Sequence, residues 1–313
     1  MRASSVGLGL AVLSATTFGT SGSFAASLMS AGWTPGSAVT VRIGTAALML
    51  TVPALVQLRG RWGVLRRSLP VVLAYGLLAV AGAQLFFFNA VEHLSVGVAL
   101  LLEYSGTLLV VGWAWLRHGQ PPRRLTVFGA ALAIGGLVLV LDLTGSQRVD
   151  GIGVLWGLAA ATGLACYFVL SSRVDDGLPP IAMAWAGMVV GAAALLVAGL
   201  AGAIPLRSST ADADFNGHHT SWVVPVLGLS LVAAVIAYTA GIGAARRLGA
   251  RLASFIGLAE VLAAVVFAWL LLGQQPSLLQ GVGGVVVLAG IALVRADEPE
   301  PAVDPDRELE PIQ

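Results

Sequence analysis

The segment WLRHGQPP at residues 115–122 recurs as WLLLGQQP at residues 269–276, a shift of 154 positions. Across residues 115–140, ten of 26 positions are identical under this shift. An apolar bias alone produces coincident Leu and Val, but it does not readily produce Trp, Gly-Gln and Pro in the same order. The sequence therefore indicates a chain made of two related halves.

The composition decides the broad class of protein. Of the 313 residues, 57% are hydrophobic and only 11% are charged, against roughly 25% charged in a typical soluble domain. The 17 basic residues are all Arg, the net charge is +1, and Cys166 is the only cysteine. One cysteine excludes an internal disulfide and a Cys/His zinc site, and the charge balance excludes a nucleic-acid-binding domain. These observations indicate an integral membrane protein with the lipid bilayer as its partner, and we expect no metal, cofactor or nucleic acid.

The hydropathy pattern gives the number of spans. A helix needs about 20 mostly apolar residues to cross the hydrocarbon core. Ten segments meet this need, and they lack the alternating pattern of a membrane β-barrel. They are Val6–Leu28, Gly36–Leu58, Leu69–Asn89, Ser95–Leu116, Leu125–Leu141, Gly151–Ser171, Pro180–Ile204, Trp222–Ala244, Gly249–Leu272 and Leu278–Val294. The predicted fold class is all-α, with ten transmembrane helices.

The distribution of Arg tests this count independently, because basic residues are retained on the cytoplasmic side of a membrane. With the N-terminus inside, 14 Arg fall in cytoplasmic connections and ends. The opposite connections hold only Arg148 and Arg207. The sequence thus predicts a multi-pass protein of the plasma or inner membrane with both termini in the cytoplasm.

Three other stretches need an interpretation. The first segment, with Arg2 and small residues near Ala25, has a cleavable signal peptide as its alternative interpretation. Residues 296–313 hold seven of the 16 acidic residues, which predicts a disordered cytoplasmic tail. The longest polar loop, Arg207–Ser221, is expected to be a plain solvated connection.

Ten spans in two halves give five spans in each half. An odd number makes the second half enter the membrane from the opposite side, so residues 1–145 and 146–295 are predicted to be inverted repeats. Many secondary transporters are built in this way, with the substrate site near the midplane between the repeats. The arrangement suits alternating access, because exchanging the conformations of the two halves turns an inward-open protein into an outward-open one.

Several short motifs carry a resemblance to a known family. They are Val41-Arg42-Ile43, Leu102-Glu103-Tyr104, Ala114-Trp115-Leu116, Ser254-Phe255-Ile256-Gly257-Leu258-Ala259-Glu260 and Ala268-Trp269-Leu270-Leu271-Leu272-Gly273. With these motifs the chain resembles the EamA type of the drug/metabolite transporter superfamily over nearly its whole length. The resemblance implies a membrane transporter and specifies no substrate. The chain departs from the family pattern at Val261, where Pro is usual, and at Gln120 and Gln274, where Glu is usual.

Two glutamates are the first candidate site residues, because a charge near the bilayer centre costs at least ~2.5 kcal/mol. Glu103 and Glu260 both lie near the predicted midplane, and under the 154-residue shift Glu103 falls on Gly257, one helical turn before Glu260. A carboxyl group in a low-dielectric medium holds its proton more tightly than one in water. The glutamates are therefore candidate proton carriers, with a structural hydrogen-bonding role as the alternative.

The remaining candidates are one cation and four polar side chains. Arg42 either extends to the membrane interface or binds a substrate carboxylate bidentately. Gln84 and Tyr238 coincide under the shift, and neither suits a position facing lipid. Asn89 shares a span with Gln84, and Tyr104 follows Glu103 directly. We expect these residues to line a substrate or coupling site.

Glycines recur in the fifth and tenth spans and predict close helix packing. Gly129 and Gly136 fall on Gly283 and Gly290 under the shift. The sequence leaves open whether these surfaces pack within the chain or form a homodimer.

The sequence lacks an HExxH motif, a Gly-x-Ser-x-Gly motif and any lysine for a Walker A motif, so an enzyme is not expected. We expect a secondary active transporter that exports small metabolites or amino acids, with proton antiport as the coupling. A multidrug efflux transporter is the alternative. A membrane scaffold without transport, or an intramembrane enzyme, is the alternative from another class.

Overall fold

The computed structural model describes residues 2–93, 96–119, 121–140, 150–172, 177–273 and 275–297. The helices of the first half are α1 (Arg2–Gly19), α2 (Ser21–Ser30), α3 (Pro35–Leu58), α4 (Trp62–Arg67), α5 (Leu69–Ala74), π1 (Tyr75–Gly82, a π-helix), α6 (Ala83–His93), α7 (Val96–Tyr104), α8 (Gly106–His118) and α9 (Arg124–Val140). Gln120 and Gln274, the two departures from the family pattern in loops, lie outside the described residues.

The second half repeats the helical pattern and adds two short strands. Its elements are α10 (Gly151–Ser171), α11 (Pro180–Leu200), β1 (Ala213–Phe215), β2 (His218–Thr220), α12 (Val223–Leu227), π2 (Gly228–Ile236, a π-helix), α13 (Ala237–Gly257), α14 (Ala259–Leu272) and α15 (Leu278–Ala296). Apart from this hairpin, the predicted all-α class is what the described residues form.

Seven helical stretches of the described chain are long and apolar enough to cross a membrane. They are Pro35–Leu58, Leu69–Phe87, Ala99–Arg117, Gly151–Ser171, Pro180–Leu200, Val223–Gly257 and Leu278–Ala296, and two shorter apolar helices are Arg124–Val140 and Ala259–Leu272. Gly249 divides the longest stretch, since its φ of 80° and ψ of 161° are non-helical and glycine adopts a positive φ without steric cost. The chain is a multi-pass membrane protein.

Helix α1 packs as part of this bundle. The Ser14 hydroxyl donates to the carbonyl of Ala237 at 2.8 Å, and a Cβ added at Gly19 would lie 2.6 Å from the Cβ of Ala263. The glycine therefore lets α1 approach α14 closely.

Both halves interrupt a helix at matching positions. The first break, at Ser105, separates α7 from α8, and the second, at Leu258, separates α13 from α14. At each break the chain tightens into a 3₁₀-like turn, with Leu108 N–H bonded to the Ser105 carbonyl at 2.9 Å and Val261 N–H bonded to the Leu258 carbonyl at 3.2 Å. Discontinuous helices of this kind are typical of transporter substrate and ion sites.

The two π-helices also match. Adding 154 to the bounds of π1 gives 229–236, which lies inside π2. A π-helix bonds each N–H to the carbonyl five residues earlier. Such helices are rare, and those that occur are often at functional sites. Gln84 and Tyr238 each stand two residues after the end of a π-helix, so both side chains are oriented by the same local distortion.

Helices α9 and α15 pack directly against each other through their glycines. A Cβ added at Gly129 would lie 2.8 Å from the Gly290 carbonyl oxygen, and one added at Gly136 would lie 2.9 Å from the Gly283 carbonyl oxygen. Later residues of α9 thus face earlier residues of α15, which makes the helices antiparallel. The glycine surfaces are used within the chain, which settles the packing question for these two pairs.

The loop between α11 and α12 is more ordered than the expected plain connection. Strands β1 and β2 form an antiparallel hairpin whose turn holds Asn216 at φ 53° and Gly217 at φ 83°, the positive values of a type I′ turn. The Phe215 ring lies 6.0 Å from the Phe24 ring of α2, and Trp33 Nε1 donates to the Ser209 carbonyl at 2.7 Å. The hairpin therefore folds back onto the end of α2 and the approach to α3.

The expected acidic tail lies outside the described residues except for Ala296 and Asp297. Asp297 is buried, and its carboxylate accepts from the Thr126 N–H at 3.1 Å and from the Thr126 hydroxyl at 2.5 Å. Thr126 stands in the first turn of α9, where backbone N–H groups lack helical partners. Asp297 thus caps α9 and is a structural residue.

Candidate functional site

Arg42 lies inside the helical bundle. Its side chain retains 7% exposure. Nη1 donates to Ser21 Oγ at 2.9 Å and to Gln84 Oε1 at 3.2 Å, and Nη2 donates to the Ala233 carbonyl at 2.5 Å. These bonds tie α3 to α2, α6 and π2.

In the part of the chain that the structure describes, the positive charge of Arg42 has no close negative partner. Within the described ranges, no carboxylate oxygen lies within 4.0 Å of its nitrogens. Nε is buried and has no hydrogen-bond partner, and the Phe18 ring, 6.0 Å from the guanidinium carbon, supplies only a weak cation–π contact. Burying a charge without a counter-ion is costly.

Gln84 connects Arg42 to the second half of the chain. While its amide oxygen accepts from Arg42, its Nε2 donates to the Tyr238 hydroxyl at 3.1 Å. The two ends of this side chain therefore join a cation of the first half to a phenol of the second half. The sequence predicted both Gln84 and Tyr238 as site residues, and the structure brings them into contact.

Aromatic rings surround this polar group. The Phe18 ring centroid lies 5.0 Å from that of Tyr238, and the Tyr167 centroid lies 5.5 Å from that of Tyr238. Sequence reasoning missed Phe18, Tyr167 and the Ala233 carbonyl. Tyr167 could have been found by the reasoning that selected Tyr238, because both are tyrosines in apolar spans, whereas a backbone carbonyl and a lone Phe carry no such signal.

The two glutamates lie on opposite sides of the matching helix breaks. Glu103 precedes the Ser105 break by two residues, and Glu260 follows the Leu258 break by two residues. Both side chains are half-buried and close enough to interact electrostatically. Glu260 stands in the first turn of α14, where the helix dipole favours a negative charge.

Tyr104 and Arg42 connect Glu260 to the rest of the site. Tyr104 and Arg42 both lie close enough to Glu260 to interact with its carboxyl electrostatically, and Arg42 does so from beyond ion-pair distance. Tyr104 is itself buried. The structure thus places Glu103, Tyr104 and Glu260 near one another, and we call them the carboxyl cluster. They lie within electrostatic range of the Arg42 group, which consists of Arg42, Gln84 and Tyr238.

Asn89 is the one predicted site residue that the structure leaves apart. Its Nδ2 donates to the Leu85 carbonyl of its own helix at 2.7 Å, a local bond between residues four apart. This bond lies within α6, and among the described residues no hydrogen bond joins Asn89 to Arg42 or Gln84.

A multi-pass helical bundle with discontinuous helices around buried charged groups has the architecture of a membrane transporter. The family model for the EamA-like transporter family matches residues 5–142 and 151–296, and the chain belongs to this family. Two relatives, one bacterial and one archaeal, are likewise named as transporters. Uncharacterized transporter YcbK of Bacillus subtilis (strain 168) is 26% identical over 216 residues, which are 66% of this chain and 68% of that protein.

An uncharacterized transporter of Archaeoglobus fulgidus is 24% identical over 227 residues, which are 72% of this chain and 76% of that protein. A solved crystal structure aligns with 95% of this chain and 98% of its own, with a TM-score of 0.73 and 20% identity. At that identity the structural likeness concerns the fold alone. Because it belongs to the EamA-like transporter family and its relatives are named as transporters, the chain is a membrane transporter rather than an enzyme.

Proposed function

We propose that this protein is a secondary active transporter with ten spans arranged as two inverted five-helix repeats, residues 1–145 and 146–295. The contact between Gln84 and Tyr238 carries this proposal. The residues are equivalents under the 154-residue shift, and they are hydrogen-bonded to each other. Two residues related by a two-fold axis can touch only if both lie beside that axis. The contact thus supports a pseudo-two-fold axis through the polar group.

The packing of α9 against α15 supports the same axis. The 154-residue shift aligns Gly129 with Gly283 and Gly136 with Gly290. The Gly129–Gly290 contact and the Gly136–Gly283 contact are therefore equivalent to each other under this shift. Equivalent helices that run antiparallel are what inversion of the second half requires. The proposed ten spans are α1–α2, α3, α5–α6, α7–α8, α9, α10, α11, α12 to Gly249, Ala250 to α14, and α15.

The proposed transport cycle is alternating access driven by protons. Glu103 and Glu260 bind protons from one side and release them to the other, while a small metabolite or amino acid moves outward. The carboxyl cluster and the Arg42 group lie between the halves, where a rocking motion of one half against the other would expose them to each side in turn. The Arg distribution supports a plasma or inner membrane location with both termini in the cytoplasm.

Flux from proteoliposomes tests this function. Vesicles containing the purified protein are loaded with a mixture of amino acids, organic acids, sugars, nucleosides and lipophilic cationic dyes, and an acidic external medium is imposed. We expect a subset of the metabolites to leave faster than from protein-free vesicles, and faster still under the proton gradient. Efflux of the dyes alone would favour multidrug transport, and no efflux of any solute would contradict the proposal.

A further inference from the structure

We propose that Arg42 binds the carboxylate of the transported solute, which takes the place of the Gln84 amide oxygen on the guanidinium. The proposal rests on the proposed transport function and names its substrate class. Its basis is the buried guanidinium described above, whose Nε has no partner and whose charge lies beyond ion-pair distance of every carboxylate in the described part of the chain.

The partners of Arg42 favour an exchangeable site over a purely structural one. A structural arginine buried in a membrane protein is expected to be paired with a carboxylate or to have its donors filled. Here Nε has no partner, and the partners of the two Nη atoms are a hydroxyl, an amide and a backbone carbonyl. A carboxylate carries the negative charge that these three partners lack, and it forms charge-assisted hydrogen bonds with a guanidinium.

Gln84 is the partner that a ligand can displace. Its bond to Arg42, at 3.2 Å, is the longest of the three, and an amide oxygen is a weaker acceptor than a carboxylate. Gln84 and Ser21 are only half-buried, whereas Arg42 is buried. The guanidinium is therefore reached from the side where these two side chains lie.

The charges around the site favour a single carboxylate over a phosphate. Arg42 is the only cation that the described residues place in the site, and Glu103 and Glu260 stand nearby. A dianionic phosphate would be repelled by these carboxyls and matched by only one positive charge. A monoanion balances Arg42 without excess.

Matched pairs of solutes test the carboxylate requirement. Proteoliposomes are loaded with two kinds of matched pair: proteinogenic amino acids with their amino alcohols, and betaine with choline. In each pair the first member has a carboxylate and the second has an alcohol in its place. Glucose 6-phosphate is added as the phosphate probe. We expect the carboxylate-bearing member of the transported pairs to leave about tenfold faster or more, the effect of losing a charged hydrogen-bond pair. Equal efflux within the pairs, or efflux of the phosphate alone, would overturn the proposal.

Two substitutions connect this selectivity to the site. Arg42→Gln removes the cation, and Gln84→Glu places a carboxylate of the protein on the guanidinium as a built-in competitor. Both are expected to lower carboxylate efflux about tenfold, and Gln84→Glu keeps the test informative if Arg42→Gln fails to fold. Gln57→Glu is the matched control, because Gln57 is exposed on the same helix as Arg42. Normal carboxylate selectivity in both site variants would contradict the proposal.

Binding to the purified protein separates this inference from the transport function. Betaine, but not choline, or an amino acid, but not its alcohol, is expected to raise the melting temperature of the wild type and not of Arg42→Gln or Gln84→Glu. Such a shift without flux would contradict transport and retain the carboxylate site. Flux without any Arg42-dependent shift or selectivity would contradict the carboxylate site and retain transport.

Discussion

Gln84 Nε2 donates to the Tyr238 hydroxyl across 3.1 Å, and the two residues are separated in sequence by 154 positions, the shift that superimposes the two halves. Each follows a π-helix at the same place in its half. Amide and phenol are different side chains, so the contact is asymmetric although the positions are equivalent. Because the Tyr238 phenol accepts from the amide nitrogen of Gln84, the amide oxygen can accept from Arg42. The proposed solute site makes use of this asymmetry.

Replacing the glutamates is expected to remove proton coupling. Glu103→Gln and Glu260→Gln keep the shape of each side chain and abolish its titration, so efflux in at least one of them should become independent of pH. The measurement is the initial rate of efflux from proteoliposomes between pH 5 and 9. Asp214→Asn, in the β1–β2 hairpin, is the control and should keep the wild-type profile. Normal pH dependence in both glutamate variants would show that neither carries the proton.

The close contact of α9 and α15 predicts different effects at two adjacent glycines. A Cβ added at Gly136 would lie 2.6 Å from the Val287 amide nitrogen, whereas one added at Gly135 would meet nothing within 4 Å. Gly136→Ala should destabilise the protein by about 1–3 kcal/mol because the backbone must move, and Gly135→Ala should not. Thermal unfolding of the two purified variants makes the comparison. Equal melting temperatures would be incompatible with this packing.

The cap that Asp297 provides for α9 predicts a loss of stability on substitution. Asp297→Ala leaves the buried Thr126 N–H and hydroxyl without their partner, at a cost of about 1–3 kcal/mol. Asp212→Ala, at an exposed loop position, serves as the control in the same unfolding experiment. Equal stability of Asp297→Ala and the wild type would mean that the cap contributes nothing.

The proposed orientation predicts which loops are accessible from outside the cell. Replacing Cys166, the only cysteine, with Ser allows single cysteines to be introduced. Ala211→Cys should react with an impermeant maleimide in intact cells, and Gly63→Cys only after permeabilisation, although both positions are exposed. Reaction of both in intact cells, or the reverse pattern, would contradict the orientation and the inverted repeats built on it.

Some site residues could be selected from the sequence because they are polar in apolar spans. Arg42, Gln84 and Tyr238 were selected in this way, and they lie together. Asn89 was selected for the same reason and satisfies its amide within its own helix. Polarity in a span therefore identifies groups that need a partner, and it does not distinguish a partner four residues away from one in the other half.

The sequence by itself determined that this is a multi-pass membrane protein of a transporter family, made of two related halves with glycines at matching places. Those properties follow from local composition and from identity at a constant shift. Only the tertiary structure decided that Arg42 is buried with no carboxylate partner among the described residues, that Gln84 touches Tyr238, and that the glycines pack within the chain. The reason is physical: in an apolar environment a polar group takes its partner from whichever helix lies beside it, and that neighbour is set by the packing of the whole bundle.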